Sequence, residues 1–300
     1  MLFFSWTCDQ EVYVKTFLRQ KGVSRRQLAK IKYHGGTILV NNKRVGSKYF
    51  LSLGDQVTII YPAEGSQDQI MAVDFPLDIL YEDRDYLIVN KPAGYTSIPS
   101  QFKDEYSMAN FVKGYFVRKN YENQVIHVVT RLDRFTSGAM IFAKHKYAHS
   151  QIDQLMQSGG INKQYLAFTH SAIGSDQHGL IEAPIGRKEG SIIERCVRTD
   201  GQYAKTEYWL EDSQAGLYRY RVQLHTGRTH QIRVHFAYLG APLCGDDLYG
   251  GSQEAGLAGQ ALHCQRLAFK QPLTQEDLVI EAPLSQDFKT WLASYQKGDS

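Results

Sequence analysis

The sequence predicts an α+β fold in two parts, a small N-terminal α/β module and a larger domain around a large mixed or antiparallel β-sheet. The chain has 300 residues, which is room for about two domains. Beyond residue 77, short apolar stretches separated by glycine or aspartate turns indicate strands, with a few helices between them. A polar stretch containing proline and glycine separates this region from a basic beginning. We therefore divide the chain into a module at 1–62, a linker at 63–75 and a domain at 76–300.

The composition is that of a globular protein. With 43% hydrophobic and 22% charged residues, the chain is neither a disordered tail nor a collagen-like repeat. It has no apolar run of the roughly 18 residues that span a membrane, and its first residues lack the basic segment of a secretory signal. Scattered cysteines indicate free thiols in a reducing cytoplasm rather than a zinc site or a disulfide framework: Cys8, Cys196, Cys244 and Cys264. We expect a cytoplasmic protein that does not contact membranes.

Positive charge is concentrated at the N-terminal end. Residues 1–62 hold ten lysines and arginines against three acidic residues, a net charge of +7, whereas the remaining 238 residues carry −4. Such asymmetry is typical of a polyanion-binding module. A solvated basic face is the other interpretation, and on charge alone the two have about equal weight.

Two helices are predicted in the basic module. The apolar spacing of the first is carried by Val14, Phe17 and Leu18. Gly22 ends this helix, and a capping-box pattern of Ser24 and Gln27 starts the second. The second helix is expected to end at the glycines 35–36.

A hairpin and a strand complete the module. Residues 37–40 and 43–45 are expected to pair around a tight turn at Asn41 and Asn42, and a further strand follows at 56–61. This order of elements resembles the S-four-type RNA-binding domain, which implies structured RNA as the polyanion. Cationic side chains on the second helix and the hairpin would then contact phosphates and supply affinity rather than sequence choice: Arg25, Arg26, Lys30, Lys43 and Arg44.

The stretch after the module predicts an exposed linker. Residues 62–69 are polar, with proline and glycine. A hinged arm is the natural arrangement, and a docked arm is the alternative. The elements expected beyond it are strands at 77–81, 86–90 and 139–143 and helices at 108–118 and 146–157.

Residues 127–138 carry a candidate catalytic carboxylate. Asp133 lies between Arg131 and Arg134, whose guanidinium groups would favour its ionised form. A positioned carboxylate can act as nucleophile or base. From these local residues alone, a structural Arg–Asp turn is the favoured interpretation, by about two to one.

Residues 225–235 are dense in hydrogen-bond donors. Three histidines five residues apart do not share one face of a strand or a helix, so we predict no metal site here. Contacts to phosphates or bases fit Arg228, His230 and Arg233 better.

Residues 163–168 place an aromatic ring on a predicted strand. Alternation puts Lys163, Tyr165 and Ala167 on one face. Tyr165 is either a core aromatic or a platform on which a base stacks. Residues 240–251, rich in glycine and aspartate, are expected to form a surface loop that could line a cleft.

Taken in order, these motifs carry a family resemblance. Arg-Leu-Asp-Arg-x-Thr-Ser-Gly at 131–138 is followed by Lys-x-Tyr-x-Ala at 163–167 and Gly-Arg-Thr-His-Gln-Ile-Arg-Val-His at 227–235. Gly-Asp-x-x-Tyr-Gly at 245–250 and Leu-His-x-x-x-Leu-x-Phe at 262–269 complete the set. The chain resembles RNA pseudouridine synthases of the RluA type and is most similar to the RluC/RluD-like branch, which modifies large-subunit ribosomal RNA.

The resemblance implies residue roles. The nucleophilic aspartate of the family falls on Asp133, its active-site tyrosine on Tyr165 and its active-site arginine on Arg233, with Arg228 as the competitor. Arg131 or Arg134 would help to flip the target uridine. The family needs no cofactor, the implied partner is RNA, and nothing in the sequence suggests an oligomer, so we expect a monomer.

The sequence departs from the family pattern at several positions that do not include these residues. Thr130 precedes the Arg-Leu-Asp triplet where the family often has histidine, and Ala241 and Gln271 replace histidines further on. These departures bear on the target site more than on the reaction. Modification of ribosomal RNA, modification of transfer RNA, and an RNA-binding assembly factor with an idle catalytic centre are therefore the hypotheses to be separated.

Overall fold

The computed structural model describes residues 1–65, 69–99 and 105–296. The N-terminal elements are, in chain order, β1 (Phe3–Thr7), β2 (Val12–Tyr13), α1 (Val14–Gln20), α2 (Arg25–Tyr33), β3 (Thr37–Val40), β4 (Lys43–Arg44), β5 (Phe50–Leu51) and β6 (Gln56–Ile60).

These elements form a four-stranded antiparallel sheet in the order β1–β6–β3–β4, and β2 pairs with β5. Helix α2 begins as its sequence predicts, and Ser24 and Gln27 exchange the two hydrogen bonds of a capping box there. Asn41 and Asn42 have φ of 50° and 64°, the left-handed conformation that the tight turn requires. The apolar faces of α1 and α2 join the sheet in one buried core.

Strand β1 lies outside the elements predicted from the sequence, which begin at residue 12. It pairs with β6, at the other end of the module, in the register Phe4 to Ile59. Phe4 is buried, while the neighbouring Ser5 is exposed and hydrogen-bonds Thr58. A strand this short is fixed by its distant partner more than by its own composition.

The elements of the larger region are β7 (Ile79–Glu82), β8 (Tyr86–Lys91), α3 (Met108–Arg118), β9 (His127–Val128), β10 (Ser137–Ala143), α4 (Lys146–Gln157), β11 (Ile161–Thr169), β12 (His178–Glu182), β13 (Ile185–Arg187), β14 (Arg195–Val197), β15 (Lys205–Gln214), β16 (Leu217–Leu224), α5 (Gln231–Tyr238), β17 (Leu262–Lys270), β18 (Asp277–Glu281) and α6 (Gln286–Gln296).

A ten-stranded sheet organises this region. Eight strands follow the order β12–β15–β16–β11–β17–β10–β8–β7, while β18 pairs with β17 and β9 pairs with β10. The pair β10–β17 is parallel and the other pairs are antiparallel, so the sheet is mixed and the α+β prediction is confirmed. Central strand β11 is buried throughout its second half, from Tyr165 onward. Both faces of the strand are therefore covered there, and the shared face of Lys163, Tyr165 and Ala167 stays a prediction.

The N-terminal module is docked on the larger region rather than hinged away from it. The ring of Phe4 lies 4.6 Å, centroid to centroid, from Tyr147 of α4, whose hydroxyl donates to the carbonyl of Lys21 at 2.6 Å. Gln27 of α2 donates to the carbonyl of Lys146 at 3.3 Å. The docked arrangement is thus the one the chain adopts, because apolar surface of the module finds a partner on α4.

The expected linker takes part in this docking. Glu64 lies 2.6 Å from His127 and also accepts a hydrogen bond from the main-chain N–H of Lys146. Burial raises the pKa of Glu64, but these hydrogen bonds and the nearby imidazole outweigh burial and lower it. Among the described residues, no helix is long and apolar enough to cross a bilayer.

Candidate active site

A cleft of about 820 Å³ opens beside the central strands. One wall is the loop before β10, with Arg131, Asp133 and Arg134, and the other is the turn before α5, with Arg228 and His230. Tyr165 and Arg233 also line this cleft. The structure therefore brings together all the candidate residues of the larger region, although they come from three distant segments of the chain.

The carboxylate of Asp133 faces Arg233. Arg233 Nη1 lies 3.4 Å from Asp133 Oδ2, and the Asp133 side chain is 26% exposed, towards the cleft. Within the described chain, neither flanking arginine pairs with Asp133. Arg134 instead donates to the carbonyl of Gly94 at 3.0 Å and pairs with Glu105 at 3.0 Å. The local Arg–Asp pairing expected from the sequence is replaced by a pairing across the fold.

Arg233 is held in place by a second carboxylate. Its Nε and Nη2 donate to the two oxygens of Asp246 at 2.8 and 2.7 Å, and its guanidinium lies 4.9 Å from the ring centre of Tyr249. Burial lowers the pKa of Arg233, but Asp246 outweighs burial and raises it, so the guanidinium is charged. Arg228 is exposed at the rim and donates to the carbonyl of Tyr203.

Asp246 and Tyr249 are site residues that reasoning from the sequence missed. Residues 240–251 were expected to form a surface loop, yet Asp246 is 1% exposed. Their glycine and aspartate content is typical of a surface loop, but here the aspartate is buried because it pairs with a buried guanidinium. The signal that could have found both residues is the motif Gly-Asp-x-x-Tyr-Gly, which contributes to the family resemblance but by itself assigns no role to either side chain.

Tyr165 lies on the floor of the cleft and is 6% exposed. Burial raises the pKa of its phenol well above the ordinary value, and the neighbouring Cys264 and Asp133 add to this effect. The phenol is therefore neutral at physiological pH. A neutral ring suits stacking on a base and donation of a hydrogen bond.

Lys91 supports the loop that carries Asp133. Its ammonium donates to the carbonyls of Pro92 and Arg134 at 2.9 Å and of Thr136 at 2.8 Å. The side chain is completely buried, and burial lowers the pKa of Lys91 to about 7, although Asp133 opposes this shift. Lys91, the last residue of β8, thereby connects that strand to the turn that follows Asp133, through the carbonyls of Arg134 and Thr136.

The three histidines of residues 225–235 have separate partners. His225 pairs with Glu207, His230 with Tyr249, and His235 hydrogen-bonds Thr206. Elsewhere in the described part of the chain, three side chains lie close enough to hold a metal ion. Their ligand atoms are within 4.8 Å of one another, and they belong to His170, Cys244 and Glu254. The oxygens of Glu254 already accept hydrogen bonds from four side chains: His170, Ser252, Trp291 and Tyr295.

The candidate RNA-binding residues of the N-terminal module lie away from the cleft. All five are exposed, three on α2 and two on β4: Arg25, Arg26, Lys30, Lys43 and Arg44. A second, smaller cavity of about 320 Å³ adjoins the cleft, shares Arg228 and Thr229 with it, and is lined by Arg187 and Arg195 of the β13–β14 hairpin. Positive charge therefore continues beyond one rim of the cleft.

The segment that carries this site matches a known protein family. RNA pseudouridylate synthases match residues 85–238, a range that contains Asp133, Tyr165 and Arg233. The chain belongs to this family. It is an RNA pseudouridine synthase, an isomerase that acts on RNA, and the predicted RluA-type recognition and reaction class are confirmed.

Relatives of this pseudouridine synthase cover nearly its whole length. The uncharacterized RNA pseudouridine synthase YjbO of Bacillus subtilis is 42% identical over 274 residues, which is 91% of this chain and 96% of the relative. The ribosomal large subunit pseudouridine synthase D of Xanthomonas campestris is 31% identical, over 87% of this chain and 82% of its own. Both matches extend beyond the family's core segment.

A solved structure shows the same fold. Human RNA pseudouridylate synthase domain containing 4 superposes with a TM-score of 0.60 at 21% identity, covering 73% of this chain and 93% of the human one. This structural similarity confirms the predicted fold class. The family match begins at residue 85, so the S-four-type identity of the N-terminal module stays a prediction.

Proposed function

We propose that this enzyme converts a uridine of large-subunit ribosomal RNA to pseudouridine, with Asp133 as the nucleophile. The observation that carries the proposal is the pairing of Asp133 with the buried Arg233 inside an open cleft. Several relatives at 31–33% identity are named ribosomal large subunit pseudouridine synthase D, which favours ribosomal over transfer RNA.

The reaction exchanges one glycosidic bond for another. The bond between N1 and C1′ breaks, the uracil turns, and C5 bonds to C1′, while the C5 proton is lost and N1 gains a proton. The carboxylate of Asp133 takes part by adding either to C1′ of the ribose, displacing the uracil, or to C6 of the base, and it is released when the new bond has formed. Arg233 orients that carboxylate.

Tyr165 and the rim residues serve the bound nucleotide. The neutral phenol of Tyr165 stacks on the uracil and holds it in the cleft. The uridine must leave the stacked RNA, which costs a few kcal/mol. Arg131, exposed on the wall beside Asp133, and Arg134 are the side chains we assign to stabilising the flipped state.

The RNA is expected to extend from the cleft across basic surfaces. Arg228 is exposed at the rim, His230 lines the cleft wall further in, and the exposed cations of α2 and β4 supply phosphate contacts at a distance. The division into an RNA-binding module at 1–62, a linker at 63–75 and a catalytic domain at 76–300 belongs to this proposal. So do a monomeric state, a cytoplasmic location and the absence of a cofactor.

Carbodiimide mapping of pseudouridines tests the proposal. Unmodified large-subunit ribosomal RNA and unmodified transfer RNA are each treated with wild type and with Asp133→Asn. We expect new stops in ribosomal RNA with wild type alone, while Asp133→Asn still binds the RNA. The exposed Asp287→Asn on α6 is the matched control and retains activity.

Each other outcome selects a different hypothesis. Stops in transfer RNA alone would replace the substrate and keep the reaction. Stops that persist with Asp133→Asn would remove Asp133 as nucleophile. If neither RNA is modified, and ribosomal RNA from a deletion strain has the full set of pseudouridines, the idle assembly-factor hypothesis is correct.

A further inference from the structure

A chain of polar groups leads from the β13–β14 hairpin to Asp133. The main-chain N–H of Arg195 donates to the Tyr249 hydroxyl at 2.9 Å, and that hydroxyl lies 2.8 Å from His230 Nδ1. His230 Nε2 lies 4.0 Å from Asp133 Oδ1. The reaction proposed for Asp133 and Arg233 gives no role to Tyr249 or to the two ring nitrogens of His230.

The first hydrogen bond favours one direction for the second. A main-chain N–H can only donate, so Arg195 occupies a lone pair of the Tyr249 oxygen. The phenol has a single proton, and His230 Nδ1 is the other hydrogen-bond partner of its oxygen in the described chain. Donation of the O–H to Nδ1 gives that proton an acceptor within the described chain, and Nδ1 is then unprotonated. A neutral imidazole with a bare Nδ1 carries its proton on Nε2.

The charge of Asp133 selects the same form of the ring. With the opposite tautomer, the lone pair of His230 Nε2 would face the carboxylate oxygen at 4.0 Å, which is repulsive. The neutral state follows from the surroundings. Burial lowers the pKa of His230, and Arg233 and Arg195 act in the same direction, whereas Asp133 and Asp246 oppose them without reversing the shift.

The backbone of His230 adopts a conformation that is uncommon for a residue other than glycine. Its φ is +57°, a left-handed conformation, and it forms the N-cap of α5 without capping the helix through its side chain. A non-glycine residue in this region costs of order 1 kcal/mol, and such strain is concentrated at functional sites. The imidazole is thereby left to meet Tyr249 edge-on, with the ring planes 81° apart.

We propose that Tyr249 fixes the tautomer of His230, so that His230 presents Nε2–H to Asp133 Oδ1 while Arg233 presents Nη1–H to Oδ2. Each oxygen of the carboxylate then faces one donor, which sets its rotation about the side-chain axis. The distance of 4.0 Å closes to a hydrogen bond when substrate fills the cleft. Tyr249 and His230 are thus positioning residues, and their effect on catalysis rests on the proposed function, whereas the tautomer itself does not.

Nuclear magnetic resonance of protein labelled with ¹⁵N-histidine tests the tautomer directly. The two ring nitrogens resonate far apart when only one is protonated, and His230→Gln identifies the signal of His230. We expect the Nε2–H form at neutral pH in wild type. Tyr249→Phe keeps a ring beneath Arg233 but lacks the hydroxyl. Only the weaker effect of Asp133 at 4.0 Å then favours Nε2–H, so we expect the Nδ1–H form to appear beside it. Tyr238→Phe, 60% exposed on α5, leaves the His230 signal unchanged.

Two spectra would overturn the inference. One is a wild-type His230 that carries its proton on Nδ1 or is doubly protonated at neutral pH. The other is a Tyr249→Phe protein whose His230 keeps the wild-type tautomer, which would remove Tyr249 as the group that fixes it.

Single-turnover pseudouridine formation tests the consequence. We expect Tyr249→Phe to slow the reaction roughly three- to tenfold at neutral pH with unchanged RNA affinity. His230→Gln, whose amide N–H can reach towards Asp133, retains more activity than His230→Ala. Equal rates for wild type, Tyr249→Phe and His230→Ala would overturn the positioning role. A wild type that shows the expected spectrum but modifies no RNA would refute the proposed function and leave the tautomer assignment supported.

Discussion

Asp246 and Asp133 share the guanidinium of Arg233, each through its own nitrogens. Asp246 accepts from Nε and Nη2 at 2.8 and 2.7 Å, which fixes the plane of the fork, and the remaining Nη1 faces Asp133 at 3.4 Å. The second distance is longer than a charge-assisted hydrogen bond usually is. The geometry therefore separates a permanent pair, Arg233 with Asp246, from a looser one that includes the candidate nucleophile.

Asp246→Asn is predicted to slow pseudouridine formation at least tenfold while RNA binding is retained. The amide can accept only one of the two hydrogen bonds, so Arg233 turns and no longer holds Asp133. Loss of the buried charge partner also lowers the free energy of unfolding by about 1–3 kcal/mol. Single-turnover rates, filter-binding affinities and urea unfolding measure the three effects.

Asp247→Asn is the matched control, because its side chain is exposed one residue further on. It should match wild type in all three measurements. An Asp246→Asn protein with the wild-type rate would show that Arg233 does not depend on Asp246 for its position.

Lys91→Met is predicted to destabilise the loop of Asp133. The variant removes three hydrogen bonds. The carbonyl of Arg134 keeps the main-chain N–H of Gly94 as a donor, whereas the carbonyls of Pro92 and Thr136 lose the side-chain donor that Lys91 supplies. We expect the free energy of unfolding to fall by about 2–4 kcal/mol and activity to fall with it, because buried acceptors without partners are costly. Denaturant unfolding followed by circular dichroism gives the stability. The exposed Lys270→Met on β17 serves as control, and equal stability of both variants would contradict the role of Lys91.

The docking of the N-terminal module is predicted to weaken in acid through Glu64. Its pKa lies below the ordinary value of 4.5 in the folded protein, so the stabilisation it supplies is fully present above pH 4.5 and is lost as the pH falls through the lowered pKa. In Glu64→Gln this part of the acid sensitivity, about 1 kcal/mol, is missing. Thermal midpoints of both proteins between pH 6 and pH 3 measure the difference. Parallel curves for the two proteins would rule out Glu64 as the titrating contact.

The basic face of α2 is predicted to supply salt-sensitive RNA affinity. Combined substitution of Arg25, Arg26 and Lys30 by alanine should weaken binding and flatten the plot of log affinity against log salt by about 0.7–0.9 for each phosphate that these side chains no longer neutralise. The rate of isomerisation at saturating RNA should be unchanged, because these residues lie away from the cleft. Lys289→Ala on α6 is the control, and a triple variant with the same slope as this control would refute the electrostatic role.

The local sequence pattern was sufficient to predict the elements whose signals lie within one turn or one strand pair. The capping box of Ser24 and Gln27, the left-handed Asn41 and Asn42, and helices α3 and α4 all appear where they were predicted. Each depends on neighbours a few residues away, and such short-range hydrogen bonds and apolar spacing can be read directly from the order of residues.

The residues of the site were also predictable from the sequence only in part. The motifs identify Asp133, Tyr165 and Arg233. The neighbouring residues alone, however, predict that Asp133 pairs with its flanking arginines and that the segment of Asp246 lies at the surface. Only the tertiary structure decided that Arg233 bridges two carboxylates, that Tyr249 meets His230, and that Phe4 docks the N-terminal module on α4. These contacts join residues far apart in the chain. Their geometry depends on how the sheet and helices pack, because burial and partner distance, rather than residue type, decide whether a charged side chain is solvated or paired.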